Sequence, residues 1–313
     1  MKHFLAIADL SPAEFSQILL TAKKLKAKWR KHGNKPILKN KTLGMVFQKP
    51  SLRTRVSFDM AMLHLGGQAL YLSPNEIGLG QRESIADVSR VLARFVDGIM
   101  ARVFAHAHVT ELAQYSSVPV INGLSDYEHP CQAMADVLTI VEHHRKLKGL
   151  KVVFLGDGNN VARSLMFACA LGGAHFVCAS PKGYTLDEAS LAKARAFCKK
   201  SGGSVELTED PQAAARGADV LYTDAWASMG QEAEAAERAR IFPPFQINSQ
   251  LVALAKPRAI VLHCLPAHRG SEITDDVMDG RQSAVFDQAE NRMHAQKAIV
   301  ALLMGNNKSK TKK

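Results

Sequence analysis

Short apolar runs alternate with longer amphipathic segments along most of the chain. The run Leu43–Phe47 is continuously apolar, which is typical of a strand buried on both faces of a sheet. After a polar loop at residues 48–51, apolar side chains recur at a helical period until Gly66 and Gly67 end the segment. This stretch predicts a strand, a short loop and a helix.

The same alternation extends through the first half of the chain. Residues 11–31 predict a helix, since Ser11-Pro12-Ala13-Glu14 is a capping-box pattern with proline at the first helical position. The remaining predictions for this half are strands at 69–72, 98–103 and 118–122, helices at 85–95, 109–115 and 131–145, and a loop at 73–84. Such βα alternation implies a parallel sheet covered by helices on both faces.

Gly149 marks a predicted crossing into a second unit of the same kind. Its predicted strands are 150–155, 175–179, 204–207, 220–223 and 259–263, with helices at 161–171, 187–201 and 290–305. We therefore predict an α/β protein of two doubly wound parallel-sheet domains, with the active site in the cleft between them. The expected domains are 1–148 and 149–289, the helix 290–305 packing back on the first, and 306–313 forming a disordered basic tail.

Composition places the chain among ordinary globular proteins. It has 313 residues, 47% hydrophobic and 22% charged, a length that suits two domains. Neither a membrane-spanning run nor a signal-peptide pattern is visible, so we expect a cytoplasmic protein. The five cysteines form no CxxC pair, which argues against a disulfide framework.

The formal net charge of +11 leaves two interpretations open. Nucleic-acid binding is one, although few aromatic residues interleave with the basic ones. An anionic small substrate with a solvated basic surface explains the same balance.

Polar side chains collect where the predicted strands end, which is where open parallel sheets bind ligands. The first cluster, at residues 51–55, would begin a helix, whose free N–H groups and dipole favour an anion. Arg53 and Arg55 add planar donors suited to phosphate oxygens. A capped helix with solvated arginines explains this stretch equally well.

Three other patterns suggest a dinucleotide site, a zinc site or a cysteine nucleophile, and each departs from the expected form. Gly156-Asp157-Gly158 resembles the start of a dinucleotide fingerprint but lacks its third glycine and a later acidic residue. His129 and His263 lack the paired ligand spacing of structural zinc sites. Cys264 cannot pair with His263 as a nucleophile if adjacent strand residues face opposite sides, and a buried apolar role for it stays open.

Several motifs together resemble a known family. Those that resemble signatures of the carbamoyltransferases are Ser51-Leu52-Arg53-Thr54-Arg55, His129-Pro130-Cys131-Gln132 and His263-Cys264-Leu265-Pro266. The segments that narrow the resemblance to the ornithine carbamoyltransferases are 156–160, 224–230, 263–270 and 290–297. They follow family order across nearly the whole chain.

The resemblance implies transfer of a carbamoyl group from carbamoyl phosphate to the δ-amine of L-ornithine, giving L-citrulline and phosphate. It implies no metal or organic cofactor, and a homotrimer or an assembly of trimers. We expect neither a nucleic acid nor a membrane as partner.

Site roles follow from the resemblance residue by residue. The residues expected to hold phosphate are Ser51, Leu52, Arg53 and Thr54. Those expected around the carbamoyl group are Arg102, His129, Gln132 and Arg292, with the backbone of Cys264 and Leu265. Those expected to bind ornithine are Asn160, Asp224, Ser228 and Met229. The expected catalytic residues are Arg102, His129, Asp224 and Cys264.

Two positions depart from the family pattern. Leu52 replaces the usual threonine, so a phosphate contact there must use the backbone N–H. Gly78 stands where many bacterial relatives have a glutamine that reaches a neighbouring subunit. Three alternatives stay open. One is a carbamoyltransferase for putrescine or an acylated ornithine. Another, suggested by Leu52 and Gly78, is a non-enzymatic paralogue that binds phosphorylated metabolites, and the third, suggested by the net charge of +11 and the basic tail, is a nucleic-acid-binding protein.

Overall fold

The computed structural model describes residues 1–227 and 232–305. The chain forms two compact units. Among the described residues, unit 1 comprises 1–134 and 292–305, and unit 2 comprises Ala135–Asn291. This division does not test the domain boundaries that the sequence predicts at 148 and 289, so they stay predictions. The predicted tail at 306–313 lies outside the described residues.

Unit 1 is built on a parallel sheet in the order β2-β1-β3-β4. Its strands are β1 (Thr42–Phe47), β2 (Gln68–Leu72), β3 (Gly98–Arg102) and β4 (Val120–Leu124). Its helices are α1 (Pro12–His32), α2 (Leu52–His64), α3 (Pro74–Ile77), α4 (Ile85–Phe95) and α5 (His106–Tyr115), with a 3-10 turn at Ile7–Asp9. Because the strand order reverses between β1 and β3, their carboxyl ends frame the switch point where such sheets bind ligands.

Unit 2 is built on a second parallel sheet in the order β7-β6-β5-β8-β9. Its strands are β5 (Lys151–Leu155), β6 (His175–Ala179), β7 (Ser204–Thr208), β8 (Val220–Thr223) and β9 (Ile260–His263). Its helices are α7 (Asn160–Gly172), α8 (Glu188–Ser201), α9 (Pro211–Ala215), α10 (Ala235–Ile241), α11 (Ser249–Val252) and α12 (Asp275–Met278). The switch point of this sheet lies between β5 and β8.

Two helices have residues in both units, namely α6 (Pro130–His144) and α13 (Val285–Met304). Two further 3-10 turns lie at Glu232–Glu234 and Pro243–Phe245. The predicted α/β class, with two parallel sheets and flanking helices, is confirmed.

Local signals account for where several helices begin. The Ser11 side chain accepts a hydrogen bond from the Glu14 N–H while Glu14 accepts one from the Ser11 N–H, so the predicted capping box is present. Asn159 caps α7 in a similar way, accepting from the N–H groups of Val161 and Ala162.

Some predicted boundaries were wrong. The predicted loop at 73–84 contains α3, because Ser73 and Glu76 form a second capping box that the sequence reading missed. The terminal helix begins at Val285 rather than 290, since no glycine or proline interrupts it there. The predicted strand at 118–122 lies at Val120–Leu124, and α5 begins three residues before the predicted start at 109.

Buried apolar residues form a core in each unit. Ile99, Ala101 and Val120 pack in the core of unit 1, and Val153, Leu221 and Val261 pack in that of unit 2. Among the described residues, no helix has both the length and the apolar character needed to cross a membrane.

Candidate active site

The first half-site lies where β1 ends and α2 begins. Ser51 is the N-cap of α2, and its Oγ accepts from the Thr54 N–H at 3.4 Å and donates to Thr54 Oγ1 at 3.1 Å. Leu52 opens the helix with a side chain 75% exposed, while Arg53 beside it is half-buried. The backbone N–H groups of this first turn face outward from the helix end, where the dipole favours an anion.

Two arginines meet at the hydroxyl of Thr54, which is buried. Arg102, at the end of β3, places Nη1 3.4 Å from Thr54 Oγ1, and Arg292, on α13, places Nη2 at the same distance. Arg292 also donates from Nη1 to Gln132 Oε1 at 2.6 Å. Burial of Gln132 and Arg292 leaves this charge poorly screened, so an anion that reached it would be held strongly.

His129 is buried against this cationic group. Burial, followed by the charges of Arg292, Arg102 and Arg53, lowers the pKa of His129 well below its usual range. The imidazole is therefore neutral at physiological pH. A neutral ring can donate one hydrogen bond to a developing negative charge without adding to the repulsion among the arginines.

The residue before His129 fixes the loop that carries it. Glu128 is fully buried, and its carboxylate accepts hydrogen bonds from the N–H groups of Ile7 at 2.8 Å and Ala8 at 3.3 Å. The N-terminal segment is thus tied to the same loop. Cys131 is structural, since its thiol contacts the Asn122 carbonyl and burial raises its pKa to about 12.

The second half-site lies in unit 2 at the carboxyl ends of β5, β8 and β9. Asp224 follows β8 and accepts from Asn159 Nδ2 at 2.9 Å through Oδ2. Its Oδ1 accepts from the Ala225 N–H at 2.8 Å and from Cys264 Sγ at 3.0 Å. Three donors from separate segments therefore fix this carboxylate, which is partly accessible and suited to an amino group.

A buried arginine holds the loop after Asp224. Arg238 donates from Nη1 to Asp157 Oδ2 at 2.7 Å and to the Trp226 carbonyl at 2.8 Å. The guanidinium also lies over the ring of Tyr184, at 4.8 Å from its centroid. Gly158 allows the neighbouring turn to pass close by, since a Cβ there would lie 2.5 Å from the Thr185 carbonyl carbon.

His263 and Cys264 use different partners, although they are adjacent. His263 Nε2 lies 2.9 Å from Glu272 Oε1, and its Nδ1 accepts from the Leu265 N–H at 2.9 Å. The thiol of Cys264 instead faces Asp224. Leu265 has a positive φ of 61°, which is uncommon for a residue with a side chain.

Possible ligand atoms of Asp224, His263 and Cys264 lie within 4.8 Å of one another. Both ring nitrogens of His263 are already used by Glu272 and Leu265. A metal ion there would have to break one of these hydrogen bonds, so the trio does not fit a resident cation.

The structure brings together most of the residues that the sequence singled out. In unit 1 these are Ser51, Thr54, Arg102, His129, Gln132 and Arg292, with Arg53 contributing to the electrostatics of His129. In unit 2, Asp224, Cys264 and Leu265 meet, and Asn160 is the first residue of α7. Ser228 and Met229 lie outside the described residues.

Several polar residues beside these groups, all but Asn159 buried, have no individual role assigned from the sequence motifs. They are Glu128, Asn159, Arg238, Glu272 and Gln288. Asn159 stands in a glycine-rich turn and Glu128 directly precedes His129, so their positions were a usable signal. Arg238, Glu272 and Gln288 lie in segments whose local pattern is that of an ordinary solvated helix or loop.

The chain is thus an α/β protein with two sheet switch points, one lined by arginines and one by a carboxylate. Residues 2–142 match the aspartate/ornithine carbamoyltransferase, carbamoyl-P binding domain, and residues 148–303 match the Asp/Orn binding domain of the same family. The chain belongs to the aspartate/ornithine carbamoyltransferase family.

Individual relatives narrow the similarity. The chain is 57% identical to ornithine carbamoyltransferase of Pyrococcus abyssi, over 98% of this chain and 97% of that one. It is 57% identical to the anabolic ornithine carbamoyltransferase of Pyrococcus furiosus, over 97% and 96%. A solved structure of ornithine carbamoyltransferase from Pyrococcus furiosus superposes with a TM-score of 0.95 at 56% identity, covering 97% of each chain.

Proposed function

We propose that this protein is an enzyme that transfers the carbamoyl group of carbamoyl phosphate to the δ-amine of L-ornithine, giving L-citrulline and phosphate. The observation that carries the proposal is the convergence of Arg102 and Arg292 on Thr54 beside a neutral His129. Relatives more than half identical to this chain bear the name ornithine carbamoyltransferase.

Unit 1 supplies groups suited to carbamoyl phosphate. The α2 N-terminus with Ser51, Arg53, Thr54 and the Leu52 N–H would hold the phosphate oxygens. Arg102, His129, Gln132 and Arg292 would surround the carbamoyl group. When the amine attacks, negative charge forms on the carbamoyl oxygen, and fixed donors such as Arg102 and His129 stabilise it without reorganising.

The leaving group gains charge as the reaction proceeds. The bond between the carbamoyl carbon and the phosphate oxygen breaks, and that oxygen takes the electron pair. Arg53 and the helix N-terminus therefore hold the developing phosphate charge more tightly in the transition state than they hold the substrate. This difference accelerates the chemical step.

Unit 2 supplies groups suited to an amino acid. Asp224, held by Asn159 and Cys264, would pair with the α-amino group, and Asn160, Ser228 and Met229 would complete the ornithine site. The δ-amine has a lysine-like solution pKa of about 10.4, so it must lose one proton before it attacks. The further proton that it releases when the C–N bond forms leaves with the phosphate. Asp224, Cys264 and the backbone of Leu265 are the groups of unit 2 that we place nearest the reacting amine.

The proposed assembly is a homotrimer or an assembly of trimers. Leu52, Val56 and Leu63 are exposed on one face of α2, and Leu70 is exposed on the edge strand β2. Exposed apolar side chains in this number favour burial against a second copy. Sedimentation of the chain and of Leu63→Asp tests this: trimers should form with the first and dissociate with the second, and a monomeric parent chain would refute the proposal.

We also propose a cytoplasmic location and a biosynthetic role. All five cysteines are free thiols, the state that a reducing compartment maintains. One of the relatives described above bears the name anabolic.

The activity is tested by supplying carbamoyl phosphate and a panel of amines to the purified protein and identifying products by mass. The panel contains L-ornithine, putrescine, N-acetyl-L-ornithine and L-aspartate. We expect citrulline as the main product. Preference for another amine would replace the proposed acceptor, and failure to carbamoylate any of them would favour a binding protein.

A further inference from the structure

Glu272 is a buried carboxylate to which the roles above assign nothing. It lies in the loop after β9 and is fully shielded from solvent. Its Oε1 lies 2.9 Å from His263 Nε2 and accepts from the His268 N–H at 2.6 Å. Burial by itself would raise the pKa of Glu272, but the hydrogen bonds from His263 and the His268 backbone outweigh it and lower the pKa. Glu272 is therefore an ionised acceptor inside the protein.

The partners of His263 determine where its proton lies. The Leu265 N–H can only donate, so His263 Nδ1, which accepts it at 2.9 Å, carries no proton. The ring proton is therefore on Nε2, where it is donated to Glu272. A carboxylate that fixes a histidine tautomer also fixes the ring orientation.

The backbone of His263 is held as firmly as its ring. Its N–H donates to Gln288 Oε1 at 2.9 Å, and the Gln288 amide donates in turn to Asp136 at 2.7 Å and to the Tyr222 hydroxyl at 3.0 Å. All these residues belong to unit 2 and are buried. The imidazole thus has little freedom to follow Leu265 if Leu265 moves.

Leu265 needs such a restraint. Its φ of 61° lies in the left-handed region, which L residues with side chains seldom adopt. The peptide that joins it to Cys264 is held on one side by the bond to His263 and on the other by the bond from Cys264 Sγ to Asp224. The orientation of the thiol therefore depends on that of the Leu265 N–H.

We propose that Glu272 is a positioning residue of the amine-binding half-site: through His263 it holds the Cys264–Leu265 peptide, and with it the Cys264 thiol, in the orientation that meets L-ornithine. This inference rests on the proposed function. Glu272 touches neither substrate in this scheme and acts only through His263.

The kinetic test compares Glu272→Ala with Glu272→Gln. Glutamine keeps an oxygen that accepts from His263, so the KM for ornithine should stay within about twofold of the parent value, whereas alanine should raise it about tenfold, the effect of losing one charged hydrogen bond. Carbamoyl phosphate affinity, measured by calorimetry, should not change in either variant. An unchanged ornithine KM in Glu272→Ala would overturn the proposal.

Asp219→Ala is the matched control. Asp219 is also a buried carboxylate of unit 2 that accepts a backbone hydrogen bond, from Lys151 at 2.8 Å, and it pairs with Lys256. It precedes β8, at the end of the sheet opposite Asp224. We expect lower stability without a change in ornithine KM. A rise in ornithine KM equal to that of Glu272→Ala would show general destabilisation and overturn the proposal.

A second readout does not depend on turnover. Cys264 is the partly accessible cysteine, the other four being buried, so iodoacetamide should alkylate it selectively. Its rate, followed by peptide mass, should change about threefold or more in Glu272→Ala but not in Asp219→Ala or Glu272→Gln. A parent chain that makes no citrulline would refute the proposed function, whereas an unchanged alkylation rate would refute the role of Glu272.

His263→Asn provides a variant should Glu272→Ala fail to fold. Its amide oxygen can take the place of Nδ1 and accept from Leu265, but the side chain is too short to reach Glu272. We expect a raised ornithine KM and an altered alkylation rate at Cys264. If the ornithine KM and the alkylation rate both equal those of the parent chain, the hydrogen bond between His263 and Glu272 is not needed.

Discussion

Arg292 Nη2 lies 3.4 Å from Thr54 Oγ1, although 238 residues separate the two along the chain. The same guanidinium donates to Gln132 from its other terminal nitrogen at 2.6 Å. One side chain of α13 thus joins the start of α2 to the start of α6 within unit 1.

Arg292→Lys should weaken carbamoyl phosphate binding about tenfold or more, because a single ammonium cannot reproduce two fixed directions of donation. Calorimetry on the free enzyme measures this. Arg90→Lys is the matched control, since Arg90 is exposed and pairs with Asp87 at 2.9 Å. Equal affinities of the Arg292 and Arg90 variants would contradict the role given to Arg292.

Arg53→Ala should also weaken carbamoyl phosphate binding by at least about an order of magnitude, since charged hydrogen bonds contribute roughly 1.5–3 kcal/mol each. Arg55→Ala serves as its neighbour control. Arg55 is exposed and lies over the Tyr71 ring at 4.2 Å, so its loss should change affinity less. Calorimetry measures the carbamoyl phosphate affinity of both variants. A larger loss of affinity in Arg55→Ala than in Arg53→Ala would place the phosphate elsewhere.

Cys264→Ala should raise the ornithine KM by about three- to tenfold, because Asp224 loses one of its three donors. Cys264→Ser keeps a donor and should recover most of the affinity. Steady-state kinetics with varied ornithine measure both. If serine were no better than alanine, the hydrogen bond to Asp224 would not be the reason for a cysteine here.

Stability should fall at mildly acidic pH because of His64. Its ring stacks on Trp29 with centroids 3.3 Å apart, and burial together with the charge of Lys297 lowers its pKa from 6.5 to about 4. Between these values the unfolded chain binds a proton that the folded chain does not. The free energy of unfolding is therefore fully retained above pH 6.5 and decreases as pH falls towards 4.

The comparison that isolates this effect is His64→Phe, which keeps an aromatic ring against Trp29 and removes the titration. Between pH 7 and 4.5 the parent chain should lose about 2 kcal/mol relative to the variant. Urea unfolding at the two pH values measures the difference. Parallel loss of stability in both chains would show that His64 does not titrate as described.

Gly78→Gln, which introduces the residue that the family resemblance leads us to expect there, should destabilise this chain. Gly78 has φ 48°, and a Cβ there would lie 3.1 Å from the Cβ of Arg82. We expect a loss of roughly 1–2 kcal/mol in the free energy of unfolding. Gly78→Asn should cost less, since asparagine tolerates this backbone region. Equal stability of Gly78→Gln and the parent would mean that this loop adjusts freely.

Local sequence patterns predict many of the strands and helix starts of this protein. The apolar run at Leu43–Phe47 predicted β1, and Ser11 with Glu14 predicted the start of α1, because periodicity and capping depend on residues a few positions apart. The motif at residues 51–55 likewise predicted the start of α2. Most of the candidate site residues came instead from the resemblance of whole motifs to those of a known family.

Only the tertiary structure shows which residues far apart in sequence are hydrogen-bond partners. Nothing near Glu128 indicates that its carboxylate would accept from Ile7 and Ala8, and nothing near Glu272 indicates His263 as its partner. The order of the strands in each sheet is likewise visible only in the tertiary structure, where β1 lies between β2 and β3. Sequence patterns report which face of an element is buried, whereas the identity of a buried polar partner depends on how the elements pack.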